Sequence, residues 1–250
     1  MDEYRRLIQE AFGESSEDSD DEDHRQQLEG SNIAVEAQFI FGENPKWERI
    51  SDIKGLSLCR DFLTSDQQST LLASILQEGW FSEASHNQAM RFGDLPPWAK
   101  ELSTGIHEVV QYGDYDPESM EMDKQEFIFP SELLKREPLF NQLIVNSYQP
   151  GEGICAHVDL MRFEDGIALV SLESSCVMHF SRVHESANEN KIPVYLTPGS
   201  LLLISGEARY EWKHEINRKP GFQIWDGLEI HQKKRTSITL RKLCKSDTST

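Results

Sequence analysis

Residues 142–182 read QLIVNSYQPGEGICAHVDLMRFEDGIALVSLESSCVMHFSR. Three short apolar runs stand in this stretch, at 143–148, 167–172 and 176–180, separated by turn-forming residues such as Pro-Gly-Glu-Gly at 150–153. The same texture continues through IPVYL (192–196), SLLLIS (200–205), ARYEW (208–212), FQIW (222–225) and TSITLRKL (236–243), with another turn, TPGS, at 197–200. Many short strands at close spacing indicate an antiparallel sandwich or barrel. No internal repeat is visible.

Upstream, the pattern is mixed. VEAQFIFG (35–42) alternates like a strand, and LSLCRDFL (56–63) after Gly55 reads as another. Thr64 and Ser65 precede a helical pattern through Leu71, Leu72, Ile75 and Leu76, which Trp80 and Phe81 close. SHNQAMRFGDLPPW (85–98) reads as a loop, because Gly and paired prolines break both periodicities. A helix from about Trp98 to Val110, an acidic loop over 113–124 and a short helical piece within 131–140 follow. The expected architecture is α+β and mainly β: a sandwich from the second half with N-terminal helices packed on it, over residues 32–245.

Residues 1–31 fall outside that body. ESSEDSDDED (14–23) repels itself and cannot bury apolar area, so the tail is expected to be largely disordered, as are residues 246–250. Tyr4, Leu7, Ile8 and Phe12 lie on one helical face, either a frayed turn or a docking helix for a protein partner. Ser15, Ser16 and Ser19 stand in kinase-like acidic surroundings. The net charge is −18, of which residues 1–30 supply −8 from eleven Asp/Glu and three Lys/Arg. The rest is still acidic, which argues against an extended basic groove for nucleic acid, so any such contact is expected to be local. Cys59, Cys155, Cys176 and Cys244 form no CxxC pair and read as reduced thiols. No apolar run approaches the roughly 20 residues of a bilayer-spanning helix. The start, MDEYRRLIQE, has no targeting character, so a soluble cytoplasmic or nuclear protein without membrane contact is expected.

The chemistry concentrates in two places. His157 and Asp159 stand two apart, which on a strand puts both on one face, and His214 lies 57 residues beyond His157 in the strand-like run ARYEWKHEI. Two histidines and one carboxylate on one face of an iron leave positions open for oxygen and a chelating cosubstrate. His-x-Asp taken alone favours a structural buried His–Asp pair over a metal site. Arg235 and Arg241 stand six apart on RTSITLR and so face the same side, the sandwich interior. Unpaired arginines are costly there, and a bound dicarboxylate would supply the missing counter-charge through a two-pronged grip. His179, His184 and His231 read as surface or satisfied core histidines, and Trp212 and Trp225 as sandwich packing. No Ser or Cys has a nucleophile's context.

With these anchors quoted, the sequence resembles the AlkB family of Fe(II)/2-oxoglutarate dioxygenases. Its N-x-Y-x-P-G…H-x-D element matches Asn146, Tyr148, Pro150, Gly151, His157 and Asp159, its second histidine matches His214, and its R-x-N/S-x-T-x-R element matches Arg235, Ser237, Thr239 and Arg241. Within the family, SLESSCVMHF, PGSLLLISGEARYEWKHEI and RTSITLRKL are most similar to the oxygenase domain of the transfer-RNA wobble-uridine hydroxylating branch. The resemblance implies a double-stranded β-helix, or jelly roll. It implies that His157, Asp159 and His214 ligate Fe(II), that Arg235 and Tyr148 take the distal carboxylate of 2-oxoglutarate, and that Asn146 and Arg241 meet its chelating end. Ser237 replaces the Asn of the repair members, so one cosubstrate contact is lost or passes to water. Residues 85–98 correspond to the family's substrate lid, with Arg91, Phe92 and Trp98 as its base-stacking or phosphate-facing groups.

The resemblance also implies the reaction, hydroxylation or oxidative demethylation with succinate formed from the keto acid. Met161 stands where repair members place a base-reading Asp, which points away from cationic methylated bases. The expected order of substrates is a modified base in structured RNA, then a methylated base in DNA or RNA, then a protein side chain. A catalytically inactive partner-recruiting protein is the alternative of another class, and succinate formation separates it from an enzyme.

Overall fold

Alternation along each strand sorts the side chains of the sheet into two cores, and the site lies on the inner face. The computed structural model describes residues 46–83, 86–113, 128–184, 190–219 and 221–245. Strands β1 (Trp47–Arg49) and β2 (Leu56–Cys59) lead into helix α1 (Ser65–Gln77), strand β3 (Gln88–Phe92), helix α2 (Pro97–Gly113) and one turn of helix, α3 (Ser131–Leu134). Strands β4 (Gln142–Tyr148), β5 (Ile154–His157), β6 (Ile167–Leu172), β7 (Cys176–Arg182), β8 (Ile192–Leu196) and β9 (Leu201–Ile204) follow. The chain then passes through a second single turn, α4 (Glu207–Tyr210), to β10 (Trp212–Ile216), β11 (Ile224–Trp225), β12 (Leu228–Glu229) and β13 (Arg235–Arg241).

A seven-stranded sheet has the order β1-β2-β9-β6-β13-β4-β3, a four-stranded sheet the order β5-β10-β7-β8, and β11 pairs with β12 alone. On β6, Ile167 and Leu169 cluster with Met178 and Phe180 of β7, Leu196 of β8 and Trp212 of β10, so this face meets the smaller sheet. Ala168, Val170 and Leu172 point the other way, onto Leu71 and Ile75 of α1 and Leu102, Ile106 and Val109 of α2. Each such aliphatic side chain, fully buried, contributes about 1.5–3 kcal/mol. The result is a jelly roll with helices on the outer face of its larger sheet.

Helix α1 begins where the Thr64-x-x-Gln67 spacing places it. Thr64 Oγ1 accepts from the Gln67 N–H at 3.3 Å, and Gln67 Oε1 accepts from the Thr64 N–H at 2.8 Å. This capping box satisfies two otherwise orphaned donors.

Strands β4 and β13 build the wall that matters for function. Their register sets Tyr148 opposite Arg235, Asn146 opposite Ser237 and Gln142 opposite Arg241. Leu143 and Val145 of β4 and Ile238 and Leu240 of β13 belong to the helix-side core, so their alternates look into the sandwich. Two neighbouring strands thereby lay these six polar side chains, and Thr239 with them, on one inner surface.

Several local expectations are corrected. ARYEW is not a strand: α4 occupies Glu207–Tyr210 and β10 starts only at Trp212. Gly206, at φ 53°, turns the chain out of β9 there, and Asp165 Oδ1 accepts its N–H at 2.9 Å. The stretch 85–98 is not all loop. Gln88–Phe92 forms edge strand β3 on β4, half-buried along its whole length, so it shows no apolar alternation. The helical piece within 131–140 covers only Ser131–Leu134, and FQIW shortens to two paired residues. The expected tail at 1–31 with its amphipathic face and serines, the strand at 35–42, the acidic loop from residue 114, Ser85 and residues 246–250 lie outside the described residues.

Candidate active site

His157 ends β5 and His214 sits directly opposite it on β10. Their ring centroids are 4.3 Å apart. Asp159 lies two residues past the end of β5, in a loop and not on the strand as its spacing suggested, yet it returns to the same place: its Oδ2 is 3.6 Å from His214 Nε2. One ligand atom from each of the three lies within 4.8 Å of the others, and among the described residues this is the one His/Cys/Asp/Glu group so arranged.

The surroundings of these side chains prepare them for a metal. His157 Nδ1 is 2.8 Å from the Cys155 carbonyl. A carbonyl can only accept, so Nδ1 donates to it and Nε2 is the nitrogen left to a metal. Burial holds His214 down at about 4, against the pull of Asp159, so it is a neutral imidazole at physiological pH. Burial alone would raise Asp159, but neighbouring positive charge, Arg241 foremost, outweighs it and holds its carboxyl below the usual carboxylate range. The donor set, two imidazole nitrogens and one carboxylate oxygen with no fourth protein ligand among the described residues, fits ferrous iron with open positions.

Arg241 differs from its expected state. It is buried, but it is not short of a counter-charge: Nη1 pairs with Asp159 Oδ1 and Nε donates to Gln142 Oε1 at 2.6 Å. Arg235 does show the predicted deficit. It is 4% exposed, its Nε donates to Ser171 Oγ at 3.0 Å, and its Nη2 has no partner. An unpartnered guanidinium N–H in a buried site is costly unless an anion completes it. A small cavity lies against it, bordered by Tyr148, Glu152, Ser174, Cys176 and Lys233. Burial raises Tyr148 despite Arg235 and its hydrogen bond with Ser237, so its phenol stays protonated and able to donate. Ser237 thus acts on Tyr148, an interaction the sequence reading did not foresee. These residues fit a dicarboxylate entering with one end toward Arg235.

Three supporting residues went unnoticed in the sequence. Gln88 donates from β3 to Asn146 Oδ1 at 2.7 Å, Gln142 holds Arg241, and Arg209 reaches the loop of Asp159. The first two follow from register, since Gln88 and Gln142 face Asn146 and Arg241 across the ladders.

The expected lid groups are not brought together. Trp98 is 8% exposed at the start of α2, with Nε1 donating to Glu78 Oε1 at 2.9 Å, so its ring is part of the core and offers no stacking surface. Arg91 lies opposite Leu143 on the helix side of the sheet, its guanidinium 4.4 Å from the Trp80 ring centroid. It points away from the triad. Phe92 alone of the three, opposite Gln142, is on the triad's side of the sheet. His179, expected to be a surface or satisfied core histidine, has a buried Nδ1 without a partner.

A model of the 2OG-Fe(II) oxygenase superfamily matches residues 55–241, from the segment before β2 to the last residue of β13. The chain belongs to this superfamily. As a 2OG-Fe(II) oxygenase it is a 2-oxoglutarate-dependent dioxygenase that takes Fe(II) and 2-oxoglutarate. Its relatives carry the AlkB resemblance of the motifs. An uncharacterized protein of Acanthamoeba polyphaga mimivirus is 28% identical over 209 residues, covering 80% of this chain and 90% of that protein. The tRNA (carboxymethyluridine(34)-5-O)-methyltransferase alkbh8 of Xenopus tropicalis is 30% identical over 212 residues, covering 76% of this oxygenase but only 32% of the relative, so the chain spans about a third of its length. Among solved structures, OsALKBH1 superposes with a TM-score of 0.54 at 16% identity, covering 75% of this chain and 98% of that one, a likeness of fold.

Proposed function

We propose that this oxygenase oxidises a modified pyrimidine in RNA, with His157, Asp159 and His214 holding Fe(II), Arg235 and Tyr148 holding the distal carboxylate of 2-oxoglutarate, and Asn146 and Arg241 facing its chelating end. When bound, iron and keto acid supply the oxidation of a substrate C–H bond by dioxygen, with decarboxylation to succinate. The chain's own part is to bind, orient and exclude water. His157, oriented through its Nδ1, and His214 offer ring nitrogens, Arg241 fixes one oxygen of Asp159 so that the other is free, and the Arg235–Tyr148 pair sets the orientation of the keto acid.

The observation that carries the RNA reading is the lip of the site. Directly after Asp159 stand Leu160 and Met161, 40% and 65% exposed, an uncharged apolar edge beside the metal ligand. Such an edge suits the face of a neutral pyrimidine and gives no charge to a cationic methylated base. The tRNA activity named for the Xenopus relative supports the same choice. The chain's acidic balance favours an exposed loop nucleotide over a base that must be flipped from a duplex by strong backbone contacts.

The test offers iron-loaded protein three substrates separately: an RNA stem-loop with a 5-substituted uridine in the loop, single-stranded oligonucleotides with N-methylated bases, and a mixed peptide library. Mass spectrometry of the products should show gain of one oxygen atom on the uridine, with matching succinate. Turnover coupled only to the methylated bases, or only to peptides, would overturn the RNA reading and leave the oxygenase chemistry standing.

A further inference from the structure

We propose that Arg209 is a positioning residue that fixes the backbone of the Asp159 loop so that the carboxylate meets the two histidines; this rests on the reading of those three residues as the iron ligands. His157 and His214 need no such help, since the β5–β10 ladder sets them opposite one another. Asp159 has no ladder, because β5 ends at His157. Its place depends on two arginines. Arg241 holds the carboxylate, and Arg209 holds the main chain: Nη1 donates to the Asp159 carbonyl at 2.9 Å, and Nη2 to the carbonyls of Leu160 at 2.8 Å and Phe163 at 3.1 Å.

The placement of Arg209 argues for more than packing. It is 2% exposed, among the largest fully buried side chains, yet among the described residues no carboxylate forms an ion pair with it, and its Nε has no partner. A buried cation answered by carbonyls and by the Tyr210 ring, 4.9 Å from its guanidinium, but by no carboxylate ion pair, costs stability that an apolar side chain of similar volume would not. Packing anchors the far end of the loop, where Phe163 is 3% exposed, but Leu160 and Met161, next to Asp159, lie toward solvent and leave that end to the arginines. Arg209 also stands five residues before His214, on the α4 turn that leads into β10. One planar fork therefore ties the segment carrying His214 to the segment carrying Asp159. A lysine keeps the charge but cannot span three carbonyls with one fixed geometry.

Anaerobic titration with ferrous iron tests the proposal without any substrate, with cobalt(II) absorption as a signature of ligand geometry. Arg209→Lys and Arg209→Met, each checked for a folded melt, should raise the iron dissociation constant by roughly 10–100-fold, as loss of a ligand's supporting partner does. Both should alter the cobalt(II) bands. Either variant folded, with wild-type iron affinity and an unchanged cobalt(II) spectrum, would reduce Arg209 to core packing and overturn the proposal. Asp159→Ala titrated alongside separates the two layers: if it binds iron like the wild type, the ligand assignment itself is wrong, whereas if it loses iron and the Arg209 variants do not, only the positioning role fails.

Discussion

Replacing Asp159 with alanine should remove iron and succinate production together. Asp159 supplies the only carboxylate of the ligand group, and two imidazoles that remain cannot form the three-point set. The substitution also strands a charge. Arg241, 8% exposed, loses its carboxylate partner, and breaking a buried pair in this way costs roughly 3–5 kcal/mol, so a lowered melting temperature is expected in the same variant. Asp159→Asn separates the effects, because the amide oxygen can still accept from Arg241 while the anionic ligand is gone. The asparagine variant should fold with a melt nearer the wild type and still bind iron far more weakly. Normal iron content and normal succinate in a folded Asp159→Asn protein would sink the ligand assignment.

The second large effect belongs to Arg235. Its Nε is fixed by Ser171 and its Nη2 is the buried donor left over, so the side chain is oriented before any cosubstrate arrives. Arg235→Lys loses both the bond to Ser171 and the fork. Each hydrogen bond to a charged group contributes about 1.5–3 kcal/mol, which predicts a rise of roughly 10–100-fold in the Michaelis constant for 2-oxoglutarate. Arg235→Ala should be worse. Iron affinity measured without 2-oxoglutarate should stay near wild type in both, since Arg235 is not among the metal group. An unchanged Michaelis constant would refute the role of Arg235.

Much of this site was legible because it lies on strands whose partners are fixed by periodicity. Asn146 and Tyr148 share a face at a spacing of two, as do Arg235, Ser237 and Arg241, and the antiparallel register then sets the two rows against one another. The capping box at Thr64 and Gln67 is visible as letters and present as hydrogen bonds. The lid was misread for a physical reason. QAMRF is held by the ladder to β4, a partner some fifty residues away, and a half-buried edge strand carries no alternation to announce it. The resemblance put Trp98 and Arg91 in the lid, but the contacts of Trp98 with Glu78 and of Arg91 with Trp80 turn both away from the site. Arg209 was hidden because ARYEW mimics a strand. Its meaning depends on carbonyls at Asp159, Leu160 and Phe163, which only the folded chain brings within reach.

The central claim, an iron- and 2-oxoglutarate-dependent oxygenase built on His157, Asp159 and His214, is tested most directly by following 2-oxoglutarate and succinate together in air. The wild-type protein with ferrous iron should convert one to the other slowly without substrate, stop on chelation and restart on adding iron, while His157→Ala and His214→Ala stay silent throughout. Succinate formation that survives chelation, or that persists in either histidine variant, would contradict the assignment.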